Sequence, residues 1–150
     1  MSGDRKPRPY LNTPVNEFDG RISPDGHWVA YATDESGRNE VFVQSFPEPG
    51  NKKRISVSGG SGPMWRKDGR EMYFVTEDHA LMAVSVTAGP AAMEFSTPIR
   101  LFTEKDLSGG LVSGGRMTYA PSPDGQRFLV LVPVQTDRPE GLHLLYNWKL

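Results

Sequence analysis

Ser23-Pro24-Asp25-Gly26-His27-Trp28-Val29-Ala30-Tyr31-Ala32 is the stretch whose reading decides the fold. Proline presets φ near −65°, aspartate can bond its own backbone two residues on, and glycine accepts positive φ without steric cost. The four residues Ser23 to Gly26 therefore read as a tight turn. The run after them is rich in β-branched and aromatic residues and reads as a strand. The unit returns as Lys67-Asp68-Gly69-Arg70-Glu71-Met72-Tyr73-Phe74-Val75 and as Ser122-Pro123-Asp124-Gly125-Gln126-Arg127-Phe128-Leu129-Val130. The Asp–Gly pairs are separated by steps of 43 and 56 residues, and the longer step contains the glycine-rich run 109–115, which reads as a loop insertion.

A period near 40–45 residues with several strands per unit is the pattern of propeller blades. Working outward, the first unit has predicted strands at Phe18–Ser23, Trp28–Thr33, Glu40–Phe46 and Arg54–Ser58. The second has them at Pro63–Arg66, Glu71–Thr76, Leu81–Thr87 and Ile99–Phe102. The third has them at Met117–Ala120, Phe128–Val134 and Leu142–Trp148, and lacks a fourth. No segment sustains helical periodicity over a dozen residues. The sequence thus predicts an all-β protein: about three β-propeller blades of four antiparallel strands, half of a six-bladed ring. Its predicted divisions are a tail and closing strand at 1–14, then blades at 15–58, 59–103 and 104–150, the last incomplete.

Composition agrees. Sixteen glycines and 13 prolines in 150 residues suit many short strands and turns. A net charge of −1 supplies no field for nucleic acid or an anionic membrane surface. The basic cluster Arg5, Lys6, Arg8 is short and reads as a solvated tail. With no cysteine there is no disulfide framework and no thiolate metal site. No run approaches the roughly 20 apolar residues of a membrane-spanning helix. Residues 1–15 are polar with three prolines, unlike a signal peptide, so an export signal, if the protein is exported, is expected outside this chain.

The fullest repeat, Ile22 to Phe46, resembles the TolB-like branch of the β-propellers, in which an SPDG turn precedes an aromatic-rich strand. The wider pattern, with Gly59-Gly60-Ser61-Gly62-Pro63-Met64-Trp65 and Asn147-Trp148, is similar to the propeller segments that follow bacterial serine/threonine kinase domains. The second repeat departs from it, with Arg66-Lys67 where the others have Ser-Pro. The resemblance implies a periplasmic or extracytoplasmic setting and a role in signalling.

Chemistry is sparse in the sequence. His27, His79 and His143 have no metal-ligand spacing. There is no nucleophile elbow and no kinase catalytic loop, and the glycine run lacks a phosphate loop's lysine. Asp25, Gly26, Asp68, Gly69, Asp124 and Gly125 read as structural turn residues. Glu17, Asp19, Arg66, Arg116 and Tyr119 flank the inner strands, where side chains of a propeller approach the central channel, and are the candidate ligand-binding residues. The expected function is a non-catalytic binding or scaffold module for a protein or peptide, with no metal and no cofactor, as the sensor part of a signalling protein. The alternative is a fragment of a propeller hydrolase or lyase with channel carboxylates. Tyr10–Thr13 reads as a strand with no local partner. Rings need about four to eight blades, so the sequence also predicts a homodimer by strand exchange, each tail completing the other copy's third blade.

Overall fold

The computed structural model describes residues 6–88, 92–103, 105, 111–113 and 116–131. The predicted strand Leu142–Trp148, His143, Trp148, residues 132–134 and the side chain of Arg116 lie outside the described residues and side chains, as does most of the glycine-rich run. What is described is all-β, with antiparallel sheets, none of them closed.

The first sheet is a four-stranded meander, β1 (Glu17–Ile22), β2 (Trp28–Thr33), β3 (Glu40–Ser45) and β4 (Lys53–Arg54), hydrogen-bonded in chain order. The second is built from β5 (Ser61–Trp65), β6 (Glu71–Val75) and β7 (Ala80–Ala88). Its outer edge comes in two pieces. β8 (Met93–Phe95) pairs with the end of β7 and β9 (Ile99–Thr103) with its beginning. Between them the Ser96 N–H donates to the Ser85 carbonyl, while the Ser96 hydroxyl accepts from the Ser85 N–H. The predicted fourth strand Ile99–Phe102 is thus found as β9, and β8, which the sequence reading did not predict, precedes it before Pro98. The third unit contributes the short pairs β10 (Val112–Ser113) with β11 (Arg116–Met117), and β12 (Tyr119–Pro121) with β13 (Phe128–Val130).

Three expectations are corrected. Residues 10–13 are not a strand. Pro9 and Pro14 flank them and donate no backbone hydrogen bond, and the segment is held by side chains instead. The predicted strand Arg54–Ser58 ends at Arg54, because the Ser56 hydroxyl accepts the Val41 N–H (2.8 Å) in place of a backbone carbonyl. The predicted strand Met117–Ala120 divides at Thr118, whose N–H turns to the Leu111 carbonyl and whose carbonyl accepts from Leu131.

The repeat shows in the packing. Call the face of each sheet that meets the next unit its front, and the other its back. The front of the first sheet (Trp28, Ala30, Val41, Val43) packs on the back of the second (Met72, Phe74, Val84, Val86). The front of the second (Tyr73, Val75, Leu81, Ala83) packs on the back of the third unit (Tyr119, Phe128, Val130). Tyr73 and Phe102 meet the Phe128 ring edge-on, with centroids 5.0 and 5.7 Å away. β6 is therefore buried between two sheets, and β2 between the second sheet and Tyr10–Leu11, which is why Trp28–Ala32 and Met72–Val75 are continuous apolar runs and not the alternation of a half-exposed sheet. Burial of these side chains is the main stabilising term; each large one contributes about 1.5–3 kcal/mol.

Candidate functional site

The three predicted turns are the same object. In each, a backbone N–H to carbonyl bond closes the turn onto glycine: Gly26 to Ser23, Gly69 to Arg66 and Gly125 to Ser122, each 2.9 Å. The glycines have φ of 77°, 73° and 71°, as the sequence predicts. Each aspartate accepts the N–H two residues on, from His27, Arg70 and Gln126. In the first and third copies a serine hydroxyl, Ser23 or Ser122, also donates to the aspartate. In the second the Arg66 guanidinium does so, through Nε and Nη2 at 2.7 and 2.9 Å, and it reaches Glu71 as well (2.9 Å).

These contacts set the acidities. Arg66, then the Arg70 N–H, hold the Asp68 carboxyl down at about 2. The Ser122 hydroxyl and the Gln126 N–H hold Asp124 below the usual range. At Asp25 burial pushes upward, but Ser23 and His27 outweigh it and the net shift is down. Successive turns lie side by side. Gly69 faces Pro24, and Gly125 sits against Tyr73, Arg66 and Glu71. Between the first two turns is a cleft of 470 Å³ bordered by Pro24, Asp25, Asp68, Arg70 and Met93.

The inner strands carry a second repeated feature. β1 and β5 each hold one extra residue against their neighbour, between Phe18 and Arg21 and between Ser61 and Met64. Such a bulge re-aims the strand and terminates regular pairing. Asp19 (φ 55°) and Gly62 (φ 62°) occupy these bulges, 43 residues apart, the step that separates Asp25 from Asp68. The Gly62 N–H donates to Asp19 Oδ2 (3.2 Å), and the Gly62 carbonyl accepts from the Tyr119 hydroxyl (2.7 Å). A line of hydrogen bonds thus crosses three consecutive inner strands. Beside it the Trp65 Nε1–H donates to the Arg21 carbonyl (3.0 Å). Burial drives the Tyr119 hydroxyl well above its ordinary pKa, with Arg21 acting the other way, so it stays a neutral donor.

Of the candidate residues, the structure brings Asp19 and Tyr119 together through Gly62. Arg66 belongs to the turn end of the second sheet. Glu17 accepts the Thr13 hydroxyl and borders a hollow on the back of the first sheet. Sequence reading missed Arg21, exposed beside this line, and Gly62, which aligning the repeats on their 43-residue step would have found. It also missed Glu40, fully buried at the start of β3. Glu40 accepts from Arg38 (2.7 Å), from the Ser56 hydroxyl and from the Gly59 N–H (3.2 Å), and so ties β3 to the link between the sheets. Among the described residues no group of three histidine, aspartate or glutamate side chains is placed to hold a metal ion. No protein-family model matches the chain, and no curated protein matches it in sequence.

Proposed function

We propose that the chain forms consecutive blades of a β-propeller and serves as a non-catalytic binding module for a protein or peptide, as the sensor or scaffold part of a larger signalling protein. The front-to-back stacking of sheets, with their first strands drawn together at one edge, supports the propeller reading. The observation that carries the functional reading is the commitment of the polar groups. Asp19, Asp25, Asp68, Asp124, Glu40 and Tyr119 each hydrogen-bond to backbone or to neighbouring side chains. Groups held this way position strands and turns. The exposed Arg21 beside the Asp19–Gly62–Tyr119 line, together with the edges of β1 and β5, is the surface we assign to the ligand.

The test is a thermal-shift screen of the purified chain against pooled peptides, repeated with Arg21→Ala. A peptide that raises the melting temperature of the wild type and not of the variant supports the reading. Turnover of an ester, peptide or glycoside substrate by the chain would instead favour the propeller hydrolase or lyase.

A further inference from the structure

The stacking of the three units leaves one face over. Each back is met by the front of the unit before it, except the back of the first sheet, which no sheet covers among the described residues. That back carries Val29, Tyr31 and Phe42, and the short segment Tyr10–Leu11 lies on it. The Tyr10 ring packs on Phe46 (centroids 5.5 Å apart) and its hydroxyl donates to the Ser45 carbonyl. Coverage is partial. Ile22, in the place that Trp65 fills on the second sheet, is 53% exposed, and a hollow of 260 Å³ remains between Leu11, Glu17, Gly20 and Tyr31. At the other end of the stack, Leu129 and Leu131 project from the front of the third unit, and Leu131 is 46% exposed. Counted back along the repeat, they stand where Tyr73 and Val75 stand on the front of the second sheet, buried against the next unit.

Among the described residues the chain therefore carries an uncovered back and an uncovered front of the same interface that it forms twice within itself. We propose that the back of the first sheet docks the front of the third unit of a second copy, head to tail, and that Tyr10–Leu11 is a displaceable strap competing for this face. The two cannot occupy it together, since the strap sits over Tyr31 and Phe42. No strand pairing holds the strap in place: residues 6–13 lie outside every sheet. Segments with few bonds of this kind open at low free-energy cost. An interface that joins different faces of identical chains is heterologous, and it closes only if the rotation allows; three units from each copy would make a six-unit ring. Closure rests on the propeller reading, whereas the head-to-tail contact does not.

Mass in solution as a function of concentration, by analytical ultracentrifugation of the full chain, tests this. Tyr10→Ala/Leu11→Ala is expected to dimerise at a concentration at least tenfold lower than wild type, toward twice the 16.6 kDa chain mass. Leu131→Glu on that background, at the far end of the stack, is expected to restore the monomer. Mixing a strap variant carrying Leu131→Glu with one carrying Ile22→Glu is expected to give a 1:1 complex that neither forms alone. Circular dichroism checks the fold; should the double strap variant unfold, Tyr10→Phe, which removes only the bond to Ser45, takes its place in the same series. A strap variant that stays monomeric, or one that associates whether or not Leu131 is replaced, overturns the proposal. A larger assembly lost on Leu131→Glu keeps the contact and removes the ring.

Discussion

Gly26 and Gly125 have the same turn, the same hydrogen bonds and φ of 77° and 71°, yet different surroundings. A Cβ at Gly26 would meet nothing within 4 Å. A Cβ at Gly125 would come to 2.3 Å from Tyr73 Oη and 2.8 Å from Arg66 Cδ. Replacing each by alanine separates backbone strain from collision. Holding a residue with a Cβ in the left-handed region costs about 1–2 kcal/mol, so Gly26→Ala is expected to lose that much. Gly125→Ala suffers the same strain and must also displace Tyr73, a nearly buried ring whose hydroxyl donates to Glu71 (2.6 Å). Forcing extra atoms into a packed site adds about 1–3 kcal/mol, for a total of about 2–5 kcal/mol. Urea denaturation followed by tryptophan fluorescence gives both values from the midpoints at constant slope. Tyr73→Phe, which removes the atom struck first, should recover part of the loss on the Gly125→Ala background and cost stability on the wild type; that coupling is read from a double-mutant cycle. Equal losses at the two glycines, or no coupling to Tyr73, would refute the packing of the third turn on the second.

Trp28 is 8% exposed in the core between the first two sheets, so Trp28→Ala is expected to cost about 3–5 kcal/mol in the same assay; a loss below 1 kcal/mol would displace it from that core. Glu40→Ala leaves the Gly59 N–H and Ser56 without their acceptor and should cost about 2–4 kcal/mol, with Glu40→Gln recovering part, as thermal melts would show. Asp68 has its carboxyl at about 2 in the folded chain against an ordinary 3.8. Between those values the unfolded chain binds more protons, so this contribution is complete above the window and is lost as pH falls through it. Urea midpoints measured from pH 5 down to pH 2 should therefore fall less steeply for Asp68→Asn than for wild type, and parallel curves would count against the Arg66–Asp68 contact.

The turns and the strands beside them were legible because they rest on local chemistry. Proline, aspartate and glycine at fixed places specify Ser23–Gly26 and Ser122–Gly125 with no help from the rest of the chain. The second turn lacks two of the usual signals, and Arg66 substitutes for serine by a contact that only the folded geometry displays. Tyr10–Thr13 was misread for a related reason. Its β-prone residues favour a strand, but its apolar side chains find a ready face on the first sheet, and burial there outweighs local preference. Asp19 and Tyr119 stood out in the sequence as candidate ligand-binding residues. Their link through Gly62 did not, because it runs through backbone groups of a bulge that residue type does not announce.

The double burial of β2 and β6 has a consequence for how such a chain can diversify. A strand with one wet face offers every second position for change without loss of packing. Here the middle strands offer none, so neutral drift is channelled to the rims: the turn tips, the hairpin crowns, the inner-edge bulges and the outermost strand, already broken at Ser96–Pro98. A library that randomised these rims would keep most members folded, whereas one spread over Trp28–Thr33 or Glu71–Val75 would lose most of them before any new recognition could be selected.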